Sequence, residues 1–170
     1  NPQAGGWRYD PGQAGDTSVL GWQVMALKSA ARAGIPVPES AFAHARDWLD
    51  RASRGSKPGL YSYQPGEQPS PSMTAEGLFA QQPLGLLPTE PRMLQSVDFV
   101  LDHLPDWDRE APTYFWYYAS LALFQHQGED WRTWNEAISR ELIDHQRRDG
   151  RAAGSWDPSD DWSRLGGRVY

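Results

Sequence analysis

The chain has 170 residues, a formal net charge of −6, nine Trp and no Cys. That length fits one domain with a real core. The missing Cys removes disulfides, thiolate metal sites and Cys nucleophiles, and a densest basic stretch of only Arg147-Arg148 with Arg151 nearby excludes a nucleic-acid footprint. No window approaches the roughly 20 apolar residues of a membrane span, and Asn1 to Trp7 has neither the charge nor the apolar stretch of a signal peptide.

In chain order, residues 17–33 predict a helix apolar around most of its circumference, with Asp16 or Thr17 to cap its start and Gly34 followed by Pro36 to stop it. Residues 39–53 predict an amphipathic helix, with Phe42, Ala45, Trp48 and Leu49 on one face and His44, Asp47 and Arg51 on the other. The alternation recurs. Residues 72–82 are short and apolar and end at Pro83, whereas residues 90–103 set Met93, Val97 and Val100 against Arg92, Ser96 and Asp98. Residues 113–127 are again apolar all round, and residues 130–147 carry Trp134, Ala137, Ile138, Leu142 and His145 on one side. Three buried helices, each followed by a half-wet one, predict an all-α fold in two layers. No segment sustains the period-2 alternation of a sheet.

Gly- or Asp-preceded aromatics punctuate this pattern at Trp7, Tyr61 (through Leu60), Trp107 and Trp156 (through Ser155), spaced by 54, 46 and 49 residues. A period near 50 is the length of a helix pair with its loops. It divides a single domain 1–170 into units of about 1–35, 36–85, 86–128 and 129–170.

The motifs at these marks resemble a known family. Gln3-Ala4-Gly5-Gly6-Trp7, and Gln146 running through an insertion to Gly154-Ser155-Trp156, are similar to the QW motif of squalene and oxidosqualene cyclases. Asp16-Thr17-Ser18-Val19-Leu20-Gly21-Trp22 resembles the start of an inner helix in the same proteins. The whole chain is similar to the prenyltransferase and squalene oxidase repeat family. The resemblance implies an α/α toroid with inner and outer helix layers, of which three helix pairs here would form a partial arc cut from a larger protein.

For activity the resemblance implies less. Class II cyclases protonate their substrate with the central Asp of Asp-x-Asp-Asp-Thr. The matching stretch is Gln13-Ala14-Gly15-Asp16-Thr17, which puts Gly at the donor position and leaves Asp16 and Thr17 as caps. Without Cys the zinc site of protein prenyltransferases is absent. Asp157, Ser159 and Asp161 alternate like calcium ligands, but the Gly and downstream carboxylate of such a loop are missing; a solvated turn is the expectation there. His44, His103, His126 and His145 are scattered and read as packing or surface residues.

The aromatic run from Tyr114 to Tyr118 is the best candidate for a binding feature. Trp22, Tyr114, Tyr117 and Tyr118 are the candidate cavity lining, with packing between helix layers as the competing role. Asp10, Asp16, Glu76 and Asp157 are candidate acids at loop ends. Three functions stay open: a non-catalytic toroid domain that binds a ligand or partner, a terpene-cyclase-type enzyme whose acid lies outside this segment, and a carbohydrate-active α/α toroid. No cofactor and no metal is expected. The candidate partners are an apolar or carbohydrate small molecule, another protein chain, or a second copy joined through truncated ends.

Overall fold

The computed structural model describes residues 5–109 and 112–169. These form α1 (Thr17–Arg32), α2 (Glu39–Ala52), β1 (Ser53–Arg54), β2 (Lys57–Tyr61), α3 (Pro71–Gln81), α4 (Pro91–Leu101), α5 (Thr113–His126), α6 (Gly128–His145), α7 (Asp161–Gly166) and a closing 3-10 turn, Gly167–Val169. The six long helices lie where the hydrophobic pattern put them, to within two residues at either end. Two elements were not expected. One is an antiparallel two-stranded ribbon pairing Ser53 with Tyr61 and Arg54 with Lys57; the other is α7.

The odd and even helices differ as their sequences do. α3 packs against α1 on one side and α5 on the other, with α4 and β2 also touching it, so every side chain from Met73 to Gln81 is buried. Each even helix packs behind the odd helix that precedes it, α4 also touches α6, and the ribbon lies against both α2 and α4. A helix walled in on all sides has no wet face, hence the largely apolar sequence of α3, whose polar side chains Thr74, Glu76 and Gln81 are buried with the rest. α1 departs from the all-round burial expected of it. Only Thr17, Leu20, Gly21 and Val24 are buried, because no described element covers its far side.

Two core clusters result. Leu20, Val24, Phe42, Trp48 and Leu49 join α1 to α2, and Leu78, Phe79, Met93, Val97, Phe115, Leu123 and Trp134 tie α3 through α6 together. Trp134 is fully buried, and its indole N–H donates to Ser120 Oγ at 2.9 Å, which satisfies its one polar atom.

The ribbon explains one side chain on α4 that departs from the expected pattern. Ser96, expected on the wet face, is buried because β2 crosses there, and its hydroxyl donates to Gly59 O at 2.6 Å. A Cβ on Gly59 would collide with the Arg92 carbonyl, so glycine is what lets strand and helix touch.

Candidate functional site

Two of the punctuating aromatics, Trp7 and Tyr61, hold the starts of α1 and α3. Asp16 N donates to Trp7 O at 3.1 Å and Ser70 N to Tyr61 O at 3.2 Å. In both repeats the residue nine places after the aromatic is the N-cap: Asp16 accepts from Val19 N and Ser70 from Met73 N. The loop after β2 fastens these two starts together. Thr17 N donates to Tyr63 O, Thr17 Oγ1 to Ser62 O at 2.7 Å, and the Trp48 indole to Thr17 Oγ1. Farther along, Asp160 does the same for α5 and α7, accepting from Thr113 N at 3.1 Å and Ser163 N at 2.7 Å.

One cavity of about 980 Å³ opens where these helices start, at the upper end of the range for small-molecule sites. Ser18 of α1, Pro71 to Met73 of α3, Pro112 with Tyr114 to Trp116 of α5, and Asp160 to Trp162 of α7 line it. Tyr9, Tyr63 and the α4–α5 loop, with Asp102, His103, Leu104, Asp106 and Arg109, complete the wall.

Two of its tyrosines are fixed from behind by buried carboxyls. Tyr63 donates its hydroxyl to Asp16 Oδ2 at 3.1 Å. Burial, then the Asp16 charge, raises the Tyr63 pKa. Asp16 is itself fully buried, takes bonds from Val19 N and Ser18 Oγ on its other oxygen, and lies 3.6 Å from Arg8. Tyr114 donates to Glu76 Oε2 at 2.7 Å. Glu76 is wholly buried in α3, and burial pushes its pKa up to about 9 against the Tyr114 bond that lowers it, so it is a neutral acid at pH 7. Among the described residues its Oε1 and the Tyr118 hydroxyl make no hydrogen bond of normal geometry, although Tyr118 lies near enough to lower the Glu76 pKa as a hydrogen-bond donor does. A Cβ on Gly21 of α1 would strike that Oε1. Glycine thus allows α1 to close over the acid.

The expected site residues separate accordingly. Tyr114 lines the cavity; Trp22, Tyr117 and Tyr118 do not. Trp22 stacks on Tyr117 at 6.4 Å and meets Tyr118 edge-on at 6.2 Å, which leaves Trp22 and Tyr117 about half exposed and Tyr118 buried. Among the acids, Asp16 is a cap and the anchor of Tyr63. Asp10 is exposed and accepts from the Gln13 side chain, and Asp157 pairs with Arg147 and Arg168. Glu76 is not at a loop end: it sits in the middle of α3, and a lone acid within a largely apolar run was the signal for it. The 157–161 stretch is not a solvated turn throughout, since Asp160 is buried. Burial pushes the Asp160 carboxyl up, but the bonds from Ser163 and Thr113 outweigh this and hold it below its usual range. No group of three or more metal-ligating side chains occurs among the described residues, and none of their helices is long and apolar enough to cross a membrane.

Of the two QW-like stretches, Gln3 lies outside the described residues. The other is seen in full: Gln146 follows the end of α6 and donates to Gly154 O at 3.0 Å, while the Trp156 indole donates to Leu142 O at 2.7 Å. No protein-family model, curated protein or solved structure matches the chain.

Proposed function

We propose that this chain is a terpene-cyclase-like α/α helical domain that works as a non-catalytic binding module, taking its ligand in the cavity where α1, α3, α5 and α7 begin. The observation that carries this reading is the state of the acids around that cavity. Asp16 and Asp160 each accept hydrogen bonds on both carboxylate oxygens from helix starts and neighbouring hydroxyls, which commits these carboxyls to structure, and the bonds from Ser163 and Thr113 hold Asp160 below its usual range. Both carboxyls are occupied in holding helix starts.

Glu76 is the one carboxyl that favours acid catalysis, because it stays protonated. Its path to the cavity runs through the Tyr114 hydroxyl, which burial and the neighbouring carboxyl make a far weaker acid than free tyrosine. A proton relayed by so reluctant a donor does not protonate an alkene or epoxide. The arrangement suits Glu76 better as a support for Tyr114 than as an acid.

Amide chemical-shift mapping with a fragment library tests the site. Perturbations gathered on Ser18, Ser72, Tyr63 and Trp162 are the expected result. Perturbations confined to the Trp22–Tyr117 face, or none at all, would refute it.

A further inference from the structure

Resting on that reading of the cavity as a ligand site, we infer that its ligand is a neutral saccharide, held by ring stacking and by hydrogen bonds to its hydroxyls. The first ground is how the aromatic side chains are held. Tyr63 and Tyr114 have committed their hydroxyls to Asp16 and Glu76 behind the wall. The contact they keep for a ligand is with the ring, in a fixed orientation. At the mouth, Tyr9 and Trp162 are mostly exposed, large rings available for stacking at small entropic cost.

The second ground is the polar half of the wall, which decides among ligands that like aromatic rings. A polyprenyl chain would take water from a wall that carries Asp102, His103, Asp106 and Arg109, which costs free energy at polar and charged groups and returns no hydrogen bond. An anion would enter against four Asp facing one Arg. An organic cation fits that imbalance at first sight. Yet three of those four Asp already have partners: Asp160 is a cap, Asp106 is held by Arg109 and the amides of Asp108 and Arg109, and Asp161 lies 3.4 Å from Arg164. Arg109 and Arg164 thus offset two of the four negative charges, and Asp160 is spent on the start of α7. What remains is a set of acceptors beside donors, interleaved with rings, and this matches a ligand with apolar faces and hydroxyl edges.

The test is titration calorimetry with indole fluorescence on the full chain, against neutral hexasaccharides (cello-, malto-, xylo- and chito-), spermidine and farnesol. At least one saccharide is expected to bind, with an affinity unchanged between low and high salt, since a neutral ligand meets no ionic screening. Trp162→Ala and Tyr9→Ala remove exposed rings and leave the melting temperature in place. Each is expected to weaken saccharide binding roughly tenfold, the loss typical of a stacking residue. Saccharide binding indifferent to both variants would place it elsewhere and overturn the proposal. Binding of spermidine or farnesol instead, weakened by Trp162→Ala, would overturn the saccharide class while leaving the cavity as a site. No binding of any probe would overturn both.

Discussion

Replacing Glu76 by Gln isolates the consequence of burying a carboxyl between α1, α3 and α5. In the folded chain the group titrates near 9, against an ordinary value of 4.5. Below pH 4.5 it is protonated in both states and carries no penalty. Between 4.5 and 9 the unfolded chain ionises and the folded one does not, so folding takes up a proton and stability falls by about 1.4 kcal/mol per pH unit. At pH 8 that amounts to about 5 kcal/mol, and at pH 5 to less than about 1 kcal/mol. The Gln side chain is isosteric, keeps an acceptor for the Tyr114 hydroxyl and offers its amide protons toward Tyr118, so it retains the packing without the titration. Wild type and Glu76→Gln should therefore be nearly equal in urea unfolding at pH 5. The variant should be the more stable by about 3–5 kcal/mol at pH 8, or roughly 10 °C in melting temperature for a chain of this size. Taking the difference between the two proteins cancels every other titrating group. A stability difference that stays flat from pH 5 to pH 8 would show that the folded protein holds Glu76 ionised, and the account of the α3 interior would fail.

Other perturbations follow from single contacts. Gly21→Ala drives a methyl into Glu76 Oε1 and should cost about 1–3 kcal/mol in chemical denaturation; an unchanged midpoint would mean that α1 does not close on the acid. Asp16→Ala removes the α1 cap and the Tyr63 anchor, an expected loss of about 1–2 kcal/mol, with Asp16→Asn recovering most of the cap. Trp134→Ala empties a fully buried indole site and should cost about 3–5 kcal/mol by the same assay. Incubated with squalene or oxidosqualene, the chain should release no cyclised product by gas chromatography; product abolished by Asp16→Asn or Glu76→Gln would overturn the binding-module reading.

By itself the sequence determined the helices and their two kinds of environment. The 3.6-residue spacing of Phe42, Ala45, Trp48 and Leu49, or of Met93, Val97 and Val100, encodes a half-buried surface. The largely apolar run of α3 encodes a fully buried one, and the capping type at Asp16 encodes the start of α1; the Ser70 cap of α3 was seen only in the structure. These signals are local, written over a turn or two of chain. The ribbon was not legible, because strands of two and five residues have no periodicity to read. Nor was the site. That Tyr114 turns to the cavity while Tyr118, one helical turn on, is buried depends on where α1 and α3 lie against α5. Trp22 falls outside the cavity because it folds over Tyr117 and Tyr118. The pairings Tyr63 with Asp16 and Tyr114 with Glu76 join residues 47 and 38 positions apart, and only the packing of three helices brings them together. The charge state of Glu76 has the same origin. A carboxyl has no unusual pKa as a residue type; it gains one when neighbouring helices exclude water from it.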